Sequence, residues 1–147
     1  MKKVAYQVWL YNSRAHMPFG FASHSWLVIR NGDVVSRFEI LFRTHACQTS
    51  WGHLHKNYLP PTLGIEIIPY YMKFLWKGYL IGSIEGDENS LARQMVDFIE
   101  KSYLNYPYCE RYFFLGPNSN TYPQWILDQF PEFKFKLPWN SFGKNYK

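Results

Sequence analysis

The chain has 147 residues and a formal net charge of +5, and 47% of its residues are hydrophobic while 20% are aromatic. This composition excludes intrinsic disorder, because it supplies enough apolar surface for a dense core, and the length fits a single domain over residues 1–147. The 16 basic residues are scattered along the chain rather than clustered. Since phosphate binding needs a concentrated positive patch, we expect no nucleic-acid partner.

The cysteine content and the first residues favour a cytoplasmic protein. Two cysteines, Cys47 and Cys109, are too few for the disulfide framework of a small secreted domain. The apolar run within residues 1–14 is short and interrupted by polar residues, unlike the core of a secretory signal. No segment approaches the roughly 20 apolar residues of a membrane-spanning helix. We therefore expect no transmembrane segment, and the sequence leaves the oligomeric state open.

A strand and a β-hairpin are the first predicted elements. Residues 3–10 alternate moderately and are rich in Val, Tyr and Trp, which favours a strand. Residues 21–41 contain two β-rich runs separated by Asn31-Gly32, and this dipeptide is the strongest short hairpin signal because it tolerates positive φ. If these two are the loop residues, Arg30 faces Asp33, and the residue numbers of every facing pair add up to 63.

That register has a chemical consequence. It places His24 opposite Glu39 and Trp26 opposite Arg37, and side chains directly opposed on one face of a sheet lie close enough to interact. We therefore expect the Glu39 carboxylate to orient the His24 ring.

Residues 43–64 lack any clean period, so we expect a long loop with at most one helical turn. Loops of this length in compact domains are often functional, and we expect this one to border the site. It carries four side chains of types that bind zinc, namely His45, Cys47, His53 and His55. Their spacing matches none of the familiar zinc motifs, so we expect scattered histidines, and neither a metal ion nor another cofactor.

Two strands and two helices complete the predicted elements. Residues 64–70 and 77–86 favour strands. Residues 87–102 have apolar positions at helical spacing after a group of polar capping residues, and a second helix ends near Phe130. Together these elements predict an α+β fold in which an antiparallel sheet packs against two main helices.

The sequence Gly-Pro-Asn-Ser-Asn-Thr at residues 116–121 opens the second helix. Proline is tolerated only in the first turn of a helix, so Pro123 places the helix start near Asn120 or Thr121, either of which is a suitable N-cap. Ser119 then lies at the helix mouth, where free N–H groups and the positive end of the dipole favour an anion or a nucleophile.

Ser119, His24 and Glu39 form the candidate catalytic set. A serine hydroxyl needs a base to remove its proton, imidazole is the usual base, and a carboxylate holds the imidazole in the required tautomer. Backbone N–H groups at the helix mouth, or the side-chain amides of Asn118 and Asn120, are candidates for an oxyanion hole. Asn-Ser-Asn-Thr is also an ideal capping sequence and strand histidines are often simply packed, so the sequence leaves both interpretations open.

The chain resembles an uncharacterised, largely bacterial family of domains of unknown function. The resemblance covers nearly the whole chain and rests on five short motifs: GPNSNT at 116–121 followed by Tyr122, YPY at 106–108, HSW at 24–26, SWG at 50–52 and GKNY at 143–146. The candidate binding residues are Asn118, Asn120, Trp26, Gly116 and Trp51.

A more distant resemblance is to the circularly permuted papain-like fold, which includes NlpC-type proteins, PPPDE isopeptidases and relatives of lecithin-retinol acyltransferase. In those proteins a strand histidine comes first in the chain, and the catalytic cysteine opens a helix within an Asn-Cys-Asn or Asn-Cys-Glu motif. The resemblance implies that His24 matches the base and that Ser119 occupies the cysteine position. It also places Glu39 near a glutamate that follows the histidine in the PPPDE pattern.

Two functions are consistent with these residues. The first is a hydrolase or acyltransferase that acts on amide, ester or isopeptide bonds of a peptide, lipid or small molecule through Ser119. Serine is far less acidic than cysteine, so the thiolate chemistry of the papain-like fold would be lost. The alternative is a catalytically inactive module that uses the same pocket to bind a peptide, lipid or other small ligand.

Overall fold

The computed structural model describes residues 4–15, 21–65 and 76–147. Within these ranges the chain forms six strands and three helices, which confirms the predicted α+β class. The strands are β1 (Tyr6–Arg14), β2 (Ser23–Asn31), β3 (Val34–Ile40), β4 (Ser50–Trp51), β5 (Leu54–Lys56) and β6 (Tyr79–Gly86). The helices are α1 (Leu91–Glu100), the short α2 (Ser102–Asn105) and α3 (Thr121–Gln129).

The six strands form one sheet in the order β4-β5-β3-β2-β1-β6, and all neighbouring strands are antiparallel. Its first face carries alternate apolar residues and packs against the helices. Leu10, Leu27 and Phe38 from three adjacent strands join Met95 of α1 and Ile126 of α3 in one buried cluster. Alternation along a strand sends the intervening side chains to the opposite face.

The second face of the sheet carries buried polar and aromatic side chains. His24 and Trp26 of β2 lie there with Arg37 and Glu39 of β3, and all four are almost completely buried. β2 is therefore buried on both faces, from Ser23 to Ile29. Such a strand cannot show the clean alternation of a half-exposed one, because both of its faces are covered.

Several predicted elements are confirmed. The strands expected over 3–10 and 77–86 correspond to β1 and β6. The helix expected over 87–102 contains α1, and Ser90 caps it by accepting a hydrogen bond from the Arg93 backbone N–H at 3.1 Å. Most of the strand expected over 64–70 lies outside the described residues. None of the helices in the described ranges is long and apolar enough to cross a membrane.

The predicted hairpin register was wrong, because the turn lies one residue later in the sequence than predicted. Asn31 pairs with Val34 and Leu27 pairs with Phe38, so the loop residues are Gly32-Asp33 and paired positions sum to 65. Gly32 has a φ of 62°, and glycine at the first central position with positive φ is typical of a type II′ turn, whereas the prediction assumed a turn centred on Asn-Gly. The residue numbers of facing pairs thus sum to 65 instead of 63, and a change of two leaves every side chain on the expected face of the sheet.

The segment 43–64 was predicted as a loop but contains the β4–β5 hairpin, with Trp51 paired to Leu54. Its turn includes Gly52, whose φ is 61°. The backbone N–H of His53 donates to the carbonyl of Cys109 at 2.6 Å, which joins this hairpin to the segment before α3. The strands are two and three residues long, too short for a sequence period to be visible.

We expect Gly52→Ala to destabilise the protein more than Gly32→Ala. Both substitutions place a side chain at positive φ, which costs about 1–2 kcal/mol. A Cβ at position 52 would also lie 2.2 Å from the Cys109 carbonyl oxygen, whereas one at position 32 has no neighbour within 4 Å. Urea unfolding measures both free energies, and equal losses would contradict the role of this close contact.

Candidate functional site

The start of α3 is capped by Asn118. Its Oδ1 accepts a hydrogen bond from the Asn120 backbone N–H, and its own backbone N–H donates to the Thr121 hydroxyl, each at 3.0 Å. This reciprocal pattern is a form of capping box. Asn120 precedes the first helical residue, as one of the two predicted N-caps, but its side chain makes no capping bond. Ser119 therefore lies in the turn that leads into α3, without a capping role.

The amide groups of the two asparagines bind backbone carbonyls. Asn118 Nδ2 donates to the Phe114 carbonyl at 2.7 Å. Asn120 Nδ2 donates to the carbonyls of Ser23 at 2.8 Å and Phe142 at 3.0 Å. These bonds attach the helix start to β2, directly beside His24. They also engage both side-chain N–H groups of Asn120 and one of the two of Asn118, the donors that the sequence suggested for an oxyanion hole.

His24, Glu39 and Arg37 form a buried ionic chain on the second face of the sheet. Glu39 Oε2 lies 2.8 Å from His24 Nε2 and 2.7 Å from an Arg37 guanidinium nitrogen. In the observed register Glu39 is the diagonal rather than the direct neighbour of His24, which long side chains still reach. Burial alone would raise the pKa of Glu39, but the hydrogen bond from His24 and the adjacent Arg37 guanidinium lower it below its usual value. Glu39 is therefore a carboxylate at neutral pH.

Arg37 is anchored by the chain that follows β5. Its guanidinium donates to the Pro60 carbonyl at 2.7 Å and to the Leu63 carbonyl, and it lies 4.1 Å from the Trp26 ring centre. Trp26 stacks on the His24 ring, with centroids 5.6 Å apart, and its indole N–H donates to the Pro61 carbonyl. Trp26 thus supports the ionic chain from within the protein, and it is not among the described residues that line the adjoining cavity.

A cavity of about 750 Å³ adjoins this chain. Both His24 and Ser119 line it, together with Asn118 and Asn120. Within the described residues no hydrogen bond joins Ser119 to His24. Because Glu39 binds Nε2 of the imidazole, Nδ1 is the ring nitrogen that can accept a proton.

Both ends of the segment 43–64 contribute to the wall of this cavity, as the sequence analysis expects. Apart from Ser119, His24, Asn118 and Asn120, the described lining residues are Ala15, Ala22, Ser23, Ile40, Leu41, Phe42, Arg43, Tyr58, Leu59, Leu63, Gly64, Ile65, Trp76, Tyr112, Phe113, Phe114 and Phe142. Most of them are apolar, so the polar groups of the site lie against a largely apolar wall.

Tyr112 is a site residue that the sequence analysis did not include among its candidates. Burial raises the pKa of its hydroxyl, while the nearby Ser119 hydroxyl and backbone N–H act in the opposite direction. The Tyr112 hydroxyl therefore lies next to the candidate nucleophile. The available signal was its place in the aromatic run just before Gly116, although aromatic residues in such runs usually belong to the core.

Besides Trp26, two further candidate binding residues are absent from the described cavity lining. Trp51 stacks on Tyr103 with ring centroids 4.3 Å apart, at the β4 end of the sheet. Gly116 has a φ of 115° and packs so closely that a Cβ would lie 2.7 Å from the Tyr146 side chain. We infer that Trp51 and Gly116 shape the fold around the site rather than contact a ligand.

A second serine–histidine pair lies elsewhere on the molecule. Ser50 Oγ is 2.7 Å from His55 Nδ1, and it also lies 3.2 Å from the Cys47 thiol. Burial lowers the pKa of His55. Ser50 and His55 are not among the described residues that line the cavity. This pair is therefore a serine–histidine contact outside the candidate site, against which the reactivity of Ser119 can be compared.

Of the four side chains considered for metal binding, Cys47 and His55 both contact Ser50, and the other two have separate contacts. His45 is exposed and pairs with Glu110, whereas His53 Nδ1 binds the Leu41 carbonyl at 3.1 Å. Among the described residues, no group of three or more His, Cys, Asp or Glu side chains is arranged to hold a metal ion.

The ionic chain predicts a specific pH dependence of stability. Because the folded protein has a lowered Glu39 pKa, the ionised carboxylate contributes stability above the unfolded pKa of about 4.3, and this contribution is lost as the pH falls through the folded pKa. We expect the free energy of unfolding to fall more steeply below about pH 4.5 in the wild type than in Arg37→Met/Glu39→Gln. The double variant removes the charges of Arg37 and Glu39 together, so neither of these two is left buried without the other. Parallel curves from urea unfolding would contradict this prediction.

Comparison with known proteins gives a family but no characterised relative. No curated protein and no solved structure matched the chain. The model of one family, described as "Protein of unknown function (DUF3750)", matches residues 5–146. Because this match covers nearly all 147 residues, the chain belongs to the DUF3750 family.

Proposed function

We propose that this protein is a hydrolase or acyltransferase that acts on amide, ester or isopeptide bonds. Ser119 is the nucleophile, His24 is the general base and Glu39 orients the base. The observation that carries this proposal is the buried chain of Arg37, Glu39 and His24, which reaches the cavity that Ser119 also lines. A buried, hydrogen-bonded carboxylate–imidazole pair beside a cavity is an arrangement that favours a catalytic site.

The proposed reaction follows from the state of the imidazole. With Glu39 ionised, Nε2 of His24 donates to it, and Nδ1 carries the lone pair. Nδ1 accepts the hydroxyl proton of Ser119 as its oxygen attacks the substrate carbonyl. When the tetrahedral intermediate collapses, the imidazolium returns the proton to the leaving amine or alcohol, and the acyl group on Ser119 then passes to water or another acceptor.

The negative charge that develops on the carbonyl oxygen needs donors. The turn before α3 contributes the Ser119 backbone N–H, and α3 itself contributes the positive end of its dipole. Tyr112 contributes a hydroxyl beside the same serine. In this proposal the oxyanion hole consists of these two groups, since the Asn118 and Asn120 amides bind backbone carbonyls.

The fold we propose is a variant of the permuted papain-like fold with serine at the cysteine position. The support is the chain order, in which a strand histidine comes first and the helix-opening residue comes last, together with an antiparallel sheet packed against α3. The alternative function is a catalytically inactive binding module. It is favoured by the absence of a direct Ser119–His24 hydrogen bond within the described residues, and the next experiment separates the two.

We expect a serine-reactive fluorophosphonate to label the wild type and not Ser119→Ala. His24→Ala should label at least about 100-fold more slowly, because general-base catalysis contributes about 10²–10⁴-fold. Labelling is followed by intact mass and by the modified peptide. Ser50→Ala is the matched control, since Ser50 also lies beside a histidine.

The outcome decides between the candidate nucleophiles. Labelling that persists in Ser119→Ala but disappears in Ser50→Ala would transfer the assignment to Ser50 and His55. A wild type that binds ligands in its cavity but is never labelled would favour the inactive binding module.

We expect Tyr112→Phe to slow labelling by roughly 10²–10³-fold, as the loss of one oxyanion-hole donor does in other acyl-transfer enzymes. The substitution keeps the ring and removes only the hydroxyl beside Ser119. Tyr58→Phe is the control, because Tyr58 also lines the cavity while its hydroxyl binds Arg43. Equal rates in the two variants would exclude Tyr112 from the oxyanion hole.

A further inference from the structure

Exposed phenylalanines are concentrated at the mouth of the cavity. Phe42, Phe113 and Phe114 all line it, and their side chains are nevertheless 74%, 58% and 46% exposed. Phe42 packs against the ring of Tyr112, which adjoins Ser119. Apolar side chains grouped around one opening mark an interaction site, because single exposed phenylalanines are normally scattered.

The cavity wall offers few partners for polar ligand groups. Among its described residues there is no Asp, Glu or Lys, and the charged side chain is that of Arg43 at the mouth. The amide donors of Asn118 and Asn120 are already bound to backbone carbonyls. Ser119, His24 and the Tyr112 hydroxyl are therefore the polar groups at the candidate reaction centre, and the rest of the described wall is predominantly apolar.

This distribution discriminates between ligand classes. Each residue of a peptide brings an N–H and a C=O that require partners when they are buried, and burying them without partners is strongly unfavourable. A hydrocarbon chain has no such groups and gains free energy from burial in proportion to its area. The cavity, at about 750 Å³, also lies within the range of about 300–1,000 Å³ typical of small-molecule sites.

We propose that the cavity binds the acyl chain of a lipid-like ester or amide. The chain lies along the apolar wall, its carbonyl is at Ser119 and His24, and the exposed phenylalanines at the mouth contact the part of the chain nearest to solvent. Arg43 favours a ligand with a neutral or anionic head group. The position of the carbonyl rests on the proposed function, whereas binding of the chain does not require catalysis.

The test is calorimetric titration of the Ser119→Ala variant with octanoate, dodecanoate and hexadecanoate. Affinity should rise with chain length, by up to roughly fourfold for each added methylene until the cavity is full. An affinity that is independent of chain length would overturn the proposal. So would tighter binding of a capped tetrapeptide of alternating leucine and phenylalanine than of dodecanoate.

Substitutions at the mouth locate the binding site. Phe42→Ser and Phe113→Ser should each weaken dodecanoate binding by roughly five- to tenfold, because each removes apolar contact area while changing an exposed side chain. Trp139→Ser is the matched control, since Trp139 is 82% exposed and is not among the described lining residues. Equal losses in all three variants would overturn the proposed location.

The two proposals fail in different ways. If dodecanoate binds Ser119→Ala with the expected chain-length dependence but no fluorophosphonate labels the wild type, the acyl-chain site stands and the catalytic function fails. If Ser119 is labelled but none of the three carboxylates binds, the catalytic function stands and the acyl-chain site fails.

Discussion

The contact of one carboxylate, Glu39, with both Arg37 and His24 is the interaction on which the rest of this site depends. Its Oε1 and the Arg37 Nε are also buried without a hydrogen-bond partner among the described residues. Taking such charges out of water costs several kcal/mol per ion, and their attraction often does no more than offset that cost. Apolar residues of similar volume would stabilise a sheet at least as well. In the proposed function the role of this ionic chain is to orient the imidazole rather than to add stability.

The same ionic chain also organises its surroundings. Arg37 needs acceptors for its remaining N–H groups, and the carbonyls of Pro60 and Leu63 supply them. The segment after β5 is thereby held against the second face of the sheet, where Leu63 forms part of the cavity wall. On the other side, Asn120 binds the Ser23 carbonyl and fixes the start of α3 next to His24. The two candidate catalytic side chains therefore border one cavity because backbone contacts on either side hold it together.

The sequence predicted secondary-structure elements, and the sheet face on which a side chain lies, better than it predicted the contacts between distant side chains. Ser90 and the apolar face of α1 depend on neighbouring residues, and so could be identified locally. His24 and Glu39 lie on the same face of the sheet, as predicted, although the predicted register was wrong. A shift of two in the sum of facing residue numbers does not move a side chain to the other face. Contacts over a long sequence separation were inaccessible. No local pattern indicates that Trp51 stacks on Tyr103, or that the Tyr112 hydroxyl adjoins Ser119.

Serine in place of cysteine changes what the ionic chain has to do in the proposed mechanism. A cysteine can react as a thiolate already paired with an imidazolium, whereas a serine must lose its proton during the attack and so needs a neutral base. In the proposed mechanism Glu39 accepts the Nε2 hydrogen of His24, which leaves Nδ1 to take the serine proton. Arg37 binds the same carboxylate oxygen and fixes its position, so the imidazole is held in the orientation that this proton transfer needs.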